Sequence, residues 1–541
     1  MRHVLSGKPA AGMPFTETHP YPSADAFDGG ELDCGNGLLL LIRKHIDPLD
    51  PGQLLEILSL ESSVEEDLPA WCRLTGNELV NMAKDGARRS FLVSKGPFSP
   101  PSPTVAPEDP DTGGTVTVPG VVIGQGGRRQ APITQPVVVP TIPSALPQPL
   151  PAPVIDPLSI MGVGSWPRPR WLRRALHEHL ESRMSDAEFE ETADDAVRLA
   201  VEAQVRAGAD VLTDGEQRRD NYASFVGGLL ENCQLIPVTD LLPYVDDPEE
   251  FERELAALDV PAGQVRHPAV FGPLGRGRSL TVHEADFVRR LSDKPVKVSL
   301  PGPYLLTRTM WMECISDRAY PDREALATDI VRVLREEAHF LLAAGVALVQ
   351  FDEPVLTEVV YGTPGEGGRT FMCGALGERR GTEEELAFAR DLLQEVVRGM
   401  PSERLALHVC RGNWTPDERM ALAGDYRPLV GLLSAVDVGT LTLELCTRRA
   451  GEIDVLATIP DDRRVGVGVV NQKDQRVDEV ADVVARAEQA ITLFGAERVL
   501  LNPDCGFATF ADNPIVTAEV AEAKLAVLAQ ARDLLRERHR L

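Results

Sequence analysis

The sequence predicts an α/β protein in which a (β/α)₈ TIM barrel follows a small two-layer βαβαββ domain. Apolar runs of strand length alternate with long amphipathic patterns from residue 157 to residue 541. A proline-rich stretch at 97–156 precedes them, and a shorter mixture of strand and helix patterns occupies residues 1–96. These three ranges are the predicted domains: an N-terminal unit, a linker and a barrel.

The composition limits the classes of function. At 541 residues the chain exceeds one ordinary domain, and its 82 acidic and 55 basic side chains give a net charge of −27. This charge repels phosphate backbones and anionic lipid, so we expect no nucleic-acid or membrane partner. The sequence shows no run long enough to span a membrane and no signal pattern. Eight cysteines are too sparse for a disulfide framework, and we expect a cytoplasmic protein with reduced thiols.

The elements of the first domain are predicted in chain order from periodicity and turn signals. They are a strand at 31–33, a helix at Leu38–His45, a strand at Gln53–Leu60, a helix at Val64–Leu74 and a hairpin at 77–95 that turns at Asp85-Gly86. Cys34 stands at the entrance of the first helix, where unpaired amides and the helix dipole favour a thiolate. It is therefore a candidate nucleophile.

The linker prediction rests on composition. Residues 97–156 are crowded with Pro, Gly, Val and Thr. Because proline fixes φ and lacks an amide hydrogen, this stretch suits neither a helix nor a sheet. It is predicted to be a disordered, mostly extended tether.

The barrel prediction rests on eight strand-like runs separated by helical patterns. The predicted strands are Ile160–Gly164, Val211–Thr213, Val296–Leu300, Ala347–Phe351, Leu405–Val409, Leu441–Leu445, Arg464–Val470 and Arg498–Leu501. The longest predicted helices are Asp186–Ala207, Asp322–Ala344, Glu383–Arg398 and Val477–Leu493. In this fold the chemistry lies at the C-terminal ends of the strands.

Four residues at those ends form a candidate metal site: His408, Cys410, Glu444 and Cys505. Residues i and i+2 of a strand point to the same side, so His408 and Cys410 can bind one ion. Zinc accepts imidazole, thiolate and carboxylate ligands. The alternative is a core histidine with two inert buried cysteines.

Seven short pieces follow one another in this region. They are Val163-Gly-Ser165, Asp214-Gly-Glu216, Pro301-Gly-Pro303, Phe351-Asp-Glu-Pro354, His408-Val-Cys410, Glu444 and Asn502-Pro-Asp-Cys-Gly506. In this order they resemble the catalytic C-terminal domain of cobalamin-independent methionine synthase, within the zinc-dependent thiol methyltransferases. The resemblance implies that Zn²⁺ is bound by the four residues of the candidate metal site.

The same resemblance implies a reaction. A methyl group would pass from methyltetrahydrofolate, or from a methylcorrinoid protein, to a thiol such as homocysteine, giving methionine. It assigns the amino-acid part of the substrate to Ser165, Glu216 and Asp352. Asp504, beside Cys505, is a candidate for orienting a ligand or relaying a proton, although a loop aspartate is an equal alternative.

Three departures from the family pattern leave the methyl donor open. The small first domain stands where full-length members carry a second barrel. The family's proton-donating histidine after the seventh strand is missing, and Lys473 lies near its place. The folate-stacking tryptophan has no clean match, although Met310-Trp311 is close.

The first domain resembles TusA-type sulfur carriers. The resemblance rests on Leu32-Asp-Cys34, Leu39–Lys44, Pro51–Ile57 and Asp67–Cys72. It implies a persulfide on Cys34 and a sulfurtransferase partner, but the signature is reduced to Cys34-Gly-Asn-Gly37, and a vestigial or docking domain is an equal alternative. For the whole chain the alternatives are alkyl transfer to another thiol, a sulfur-relay protein using Cys34 and, last, a decarboxylase on a related barrel.

Overall fold

The computed structural model describes most of the chain. The described residues are 19–30, 32, 38–61, 64–75, 77–86, 88–96, 98, 133, 135–180, 183–237, 240–241, 266–362, 380–413, 416–418 and 421–541. Cys34 lies outside them. The chain divides into two compact units, Met1–Val121 with Val238–Pro243, and Val122–Pro237 with Tyr244–Leu541.

The first unit is a four-stranded sheet with two helices. Its elements are β1 (Asp25–Asp28), α1 (Leu38–Ile46), β2 (Leu54–Ser59), α2 (Val64–Thr75), β3 (Glu78–Asp85) and β4 (Arg88–Ser94). The sheet order is β1-β2-β4-β3, with β1 parallel to β2 and the other pairs antiparallel. Leu38 and Ile42, one helical turn apart, pack on Ile57 and Phe91 in its core. The predicted order βαβαββ is confirmed, but the first strand lies at Asp25–Asp28 instead of 31–33.

The second unit contains a six-stranded sheet in which every strand is parallel to its neighbours and spatial order follows chain order. Its strands are β7 (Lys297–Pro301), β8 (Leu348–Asp352), β9 (Leu405–Val409), β10 (Thr440–Leu443), β11 (Arg464–Val470) and β12 (Val499–Pro503). They are buried almost throughout, as expected of a parallel sheet covered on both faces. All six were predicted to within a few residues.

The two earliest predicted strands of this unit are represented only by isolated parallel bridges. Ile160 pairs with Leu501, Met161 with Val211, and Leu212 with Val296. These bridges connect β12, through the segments around residues 160 and 211, to the residue that precedes β7. The parallel arrangement therefore continues from β12 round to β7.

Helices connect the strands. They are α3 (Arg170–Leu180), α4 (Asp186–Arg206), α5 (Val282–Leu291), α6 (Pro303–Met310), α7 (Glu313–Ser316), α8 (Arg323–Ala343), α9 (Val355–Tyr361), α10 (Thr382–Val397), α11 (Val430–Ala435), α12 (Val480–Phe494) and α13 (Ala518–His539). The strands β5 (Glu231–Pro237) and β6 (Arg266–Gly275) form an antiparallel pair that the sequence did not predict. No helix in the described part of the chain is long and apolar enough to cross a membrane.

The last third of the predicted linker is packed on the second unit. Residues 135–156 contain no helix or strand, yet Val138 N–H donates to Asn232 Oδ1 (2.8 Å) and Leu150 N–H donates to the Leu342 carbonyl (3.1 Å). Ile155 is buried against Met161 and Leu500. The prediction of disorder was wrong for these residues, because their backbone groups find partners on the second unit and proline keeps the chain extended.

Candidate metal and substrate site

Three of the four predicted metal ligands meet at the C-terminal edge of the parallel sheet. His408 lies on β9, Cys410 follows that strand directly, and Cys505 follows β12. One ligand atom from each lies within 4.8 Å of the others, and all three side chains are buried. The Sγ of Cys505 is 3.6 Å from Nε2 of His408. A nitrogen and a sulfur bound to one tetrahedral zinc would be about 3.6 Å apart, given the usual bond lengths.

A hydrogen bond from the neighbouring strand orients the imidazole. Thr442 on β10 is the register partner of His408, and its carbonyl accepts from Nδ1 at 3.0 Å. Nδ1 therefore carries the hydrogen, and Nε2 presents its lone pair to the sulfurs. A carbonyl that fixes the tautomer in this way is the usual support of a metal-binding histidine.

A hydrogen bond between the two cysteines shifts their pKa values in opposite directions. It holds the pKa of Cys410 well below its ordinary value and raises the pKa of Cys505. Cysteine binds a metal as its thiolate, so a bound cation would displace the thiol protons of both residues.

The carboxylate of Glu444, the fourth predicted ligand, lies outside this three-residue group. Its Oε2 accepts from the backbone N–H of Arg411 at 2.7 Å, and its Oε1 lies 3.7 Å from Nη2 of Arg449. The buried Arg411 guanidinium in turn donates to the carbonyls of Gly424, Glu444 and Ala450 and to the Tyr426 hydroxyl. Arg411 therefore fixes both the backbone and the side chain of Glu444.

Asp504 links the ends of β10 and β12. Its Oδ1 accepts from the N–H groups of Leu445 (2.9 Å) and Cys446 (2.8 Å). Burial and the charge of Glu444 raise the pKa of Asp504 well above its usual value. A Cβ on Gly468 would lie 2.0 Å from that oxygen, so the close approach requires glycine. Both contacts give Asp504 a structural place in the site.

Lys473 is buried close to the metal-ligand group. Burial lowers the pKa of its ammonium, while the charges of Glu444 and Cys505 act in the opposite direction. Its backbone N–H donates to Asn471 Oδ1 at 2.9 Å. The structure therefore brings the predicted proton donor near the candidate metal ligands.

The predicted substrate residues Ser165, Glu216 and Asp352 line the same cavity as the metal-ligand group. Burial raises the pKa of Glu216 to about 7, and the charge of Asp352 adds to this shift. Burial also raises the pKa of Asp352 to about 6, against the charge of His408 and a hydrogen bond from Gln350, whose Nε2 lies 2.8 Å from Asp352 Oδ1. Two buried carboxylates in one cavity form a natural receptor for an ammonium group.

Ser165 is set by its neighbours on the loop that follows β12. Its Oγ accepts from the N–H of Ala508 at 3.3 Å, and its carbonyl accepts from the N–H of Phe507 at 3.0 Å. A Cβ on Gly506 would lie 2.2 Å from the Ser165 Oγ. Gly506 therefore leaves the space that the Ser165 side chain occupies.

Asn413 joins two loops of the site and was not among the predicted residues. Its Nδ2 donates to the Gly506 carbonyl (2.6 Å) and to Thr509 Oγ1 (2.8 Å), and its Oδ1 accepts from Gln472 Nε2 (2.6 Å). Tyr222 and Phe510 were also missed, and they form an edge-to-face pair in the cavity lining. Asn413 lies three residues beyond Cys410, so the rule that polar residues after strands are functional could have identified it.

The geometry defines a class of protein: an α/β enzyme with a buried imidazole–thiolate centre beside two carboxylates. The family model described as cobalamin-independent synthase, catalytic domain, matches residues 158–239, 257–366 and 404–527. The chain belongs to this family and is a methyltransferase of it. The three matched ranges contain every candidate site residue of the second unit, and Met1–Val121 of the first unit lies outside them.

Two relatives agree with this assignment. Methionine synthase of Saccharolobus solfataricus is 23% identical over 376 residues, which cover 69% of this chain and 94% of that protein. Methionine synthase of Sulfolobus acidocaldarius is 25% identical over 345 residues, 64% of this chain and 84% of that protein.

Two solved structures resemble the fold. A B12-independent methionine synthase from a Shewanella species, in complex with selenomethionine, has a TM-score of 0.54 at 22% identity and covers 71% of this chain and 98% of that one. A putative B12-independent methionine synthase from Listeria monocytogenes has a TM-score of 0.51 at 18% identity, with 71% and 99% covered.

Proposed function

We propose that this chain is a zinc-dependent S-methyltransferase that moves a methyl group to the sulfur of homocysteine and forms methionine. The observation that carries the proposal is one cavity lined both by three buried metal-ligand candidates and by two buried carboxylates. The methyl donor is methyltetrahydrofolate or a methylcorrinoid protein. The names of the archaeal relatives support the reaction.

The donor set fits Zn²⁺. His408, Cys410 and Cys505 would hold the ion, which when bound keeps an incoming thiol in its thiolate form at neutral pH. The two anionic sulfurs would keep electron density on that thiolate. Glu444 would be the fourth ligand, exchangeable for the substrate thiol, and the Arg411 amide already donates to its Oε2 at 2.7 Å.

The two carboxylates select the acceptor. Glu216 and Asp352 would bind the substrate ammonium, and Ser165 would bind the remaining polar atoms of the amino acid. A thiol without an ammonium group gives neither buried carboxylate this charged partner, so it loses the binding free energy that homocysteine gains. This favours homocysteine over thiols of the coenzyme M type.

The transfer itself is a direct displacement. The substrate sulfur forms a bond to the methyl carbon while the bond from that carbon to the donor breaks, and its electron pair stays on the donor. With methyltetrahydrofolate the leaving nitrogen takes up a proton, for which we propose Lys473. With a methylcorrinoid the pair remains on cobalt and no proton is needed, so the requirement for Lys473 distinguishes the donors.

We further propose that the parallel segments of the second unit close into a (β/α)₈ barrel. The six-stranded sheet and the bridges at Ile160, Met161 and Leu212 support closure. We propose the domain division 1–96 and 157–541, with residues 135–156 assigned to the barrel unit instead of the linker.

For the first unit we propose a TusA-like sulfur carrier that uses Cys34 and a sulfurtransferase partner. Its βαβαββ order supports the proposal. A cytoplasmic location stays a prediction from the sequence.

The test is zinc content measured on the purified wild type and on Cys505→Ala, with methylation of homocysteine assayed on the same samples with each donor. We expect one zinc per chain in the wild type, and loss of both zinc and activity in the variant. Cys446→Ala is the matched control: its sulfur lies outside the three-residue group, so zinc and activity should persist. A wild type without zinc that still methylates homocysteine would refute the metal mechanism.

The sulfur-relay alternative is tested in parallel with Cys34→Ala. Free homocysteine bypasses any sulfur delivery, so the methyltransferase should keep its activity in this variant. Loss of methylation with free homocysteine would favour the relay.

A further inference from the structure

Buried polar side chains follow one another along two neighbouring strands and lead to Asp352, a carboxylate that lines the cavity. Lys297 and Ser299 alternate on β7, and Gln350 and Asp352 alternate on β8. Residues two apart in a strand point to the same side, and the register pairs Ser299 with Gln350. All four are buried, with Lys297 only 1% exposed. Buried polar groups of this kind need partners within the protein.

These side chains are joined by hydrogen bonds in one direction. The Lys297 ammonium donates to Gln350 Oε1 at 3.1 Å, and Gln350 Nε2 donates to Asp352 Oδ1 at 2.8 Å. The same Nε2 lies 3.1 Å from Ser299 Oγ and 3.2 Å from the Val163 carbonyl. The amide of Gln350 thus connects a buried cation to the carboxylate that lines the cavity.

The chemistry of the end groups allows the amide one orientation. An ammonium has only donors, and an ionised carboxylate has only acceptors. A flipped amide would place its NH₂ against the ammonium and its oxygen against the carboxylate, and both contacts would be repulsive. Lys297 therefore determines that Gln350 presents N–H to Asp352.

We propose that Lys297 is a positioning residue for recognition of the substrate ammonium, and that it acts through Gln350 on Asp352. One oxygen of Asp352 is held by the amide, which fixes the plane of the carboxylate that lines the cavity. This inference rests on the proposed function, because it concerns the amino-acid end of the thiol. Lys297 also lies among buried carboxylates: burial lowers the pKa of its ammonium, and the negative charges of Asp352 and Glu216 act in the opposite direction and favour the charged form.

The test compares two thiols that differ only in the group concerned. Homocysteine carries the ammonium, and 4-mercaptobutanoate is the same chain without it. In Lys297→Met we expect kcat/KM for homocysteine to fall about tenfold or more relative to kcat/KM for 4-mercaptobutanoate, as expected when one charge-assisted hydrogen bond is misaligned. Zinc content should stay at the wild-type value.

A second variant protects the test against misfolding. Gln350→Glu keeps a partner for Lys297 but replaces the donor to Asp352 with an acceptor, so the same fall in the ratio is expected. Ser299→Ala is the control within the network, because Lys297 still orients the amide, and the ratio should be kept.

Equal losses with both thiols, or an unchanged ratio in both Lys297→Met and Gln350→Glu, would overturn the inference. Failure of the proposed function would look different, because the wild type itself would not methylate homocysteine.

Discussion

Asp504 offers a clean separation of structure from chemistry. Its Oδ1 accepts two backbone N–H groups at 2.9 and 2.8 Å, which fix the residues after Glu444. Each bond contributes roughly 1–2 kcal/mol, so Asp504→Ala should lower the free energy of unfolding of this unit by about 2–4 kcal/mol. Asp504→Asn keeps an acceptor oxygen at nearly the same place and should lose about 1 kcal/mol or less.

The assay follows zinc release with a chromogenic chelator during urea unfolding, because this signal reports the metal-binding unit alone. At a urea dependence of about 3 kcal/mol per M, a loss of 2–4 kcal/mol lowers the midpoint concentration of urea by roughly 0.7–1.3 M. Methylation of homocysteine is measured on the same samples. Asp504→Asn should keep zinc and most of its activity. An Asp504→Asn enzyme with full zinc and unchanged stability but no activity would refute the reasoning and assign Asp504 to proton transfer.

Three further predictions concern the substrate end and the donor. Burial raises the pKa of Glu216 to about 7, and only its anion attracts an ammonium; kcat/KM for homocysteine should therefore fall as pH drops below about 7, and this limb should be absent from pH profiles with 4-mercaptobutanoate. A Cβ at Gly506 would lie 2.2 Å from the Ser165 Oγ, so Gly506→Ala should raise KM to the level of Ser165→Ala, and kinetics of the double variant should show no added effect. Lys473→Gln should lower kcat about 10²- to 10⁴-fold with methyltetrahydrofolate and little with a methylcorrinoid; equal loss with both donors in steady-state assays would contradict a role as proton donor.

The strand ends could be predicted because a buried parallel strand is a nearly continuous apolar run, and a polar residue at its end stands out. This signal located His408 and Cys410 on β9 and Cys505 after β12, and the structure brings them together. The strands predicted at Ile160–Gly164 and Val211–Thr213 are present only as isolated bridges to their neighbours, without a continuous ladder.

Contacts between distant segments could not be predicted from one sequence. Glu444 was predicted because it lies at the end of a strand. The hydrogen bond from the Arg411 amide to its carboxylate could not be predicted, because it depends on how the loop after β9 folds across β10. Lys297 and Gln350 were overlooked because they lie inside runs that were interpreted as apolar. Their spacing of two from Ser299 and Asp352 was the available signal, since alternate polar residues in a buried strand share one side.

The packing of residues 135–156 moves the boundary of the second structural unit upstream of the family match. The family match begins at residue 158, yet Arg404 and Arg464, at the starts of β9 and β11, donate to the carbonyls of Leu150 and Ile155. A chain shortened to the matched residues would lack residues 135–156, which cover the end of the sheet opposite the site. The apolar surface that Ile155 covers would then be exposed to solvent. Residues 135–156 and the sheet that they contact therefore form one structural unit, and a truncation meant to keep that unit intact has to lie upstream of residue 135.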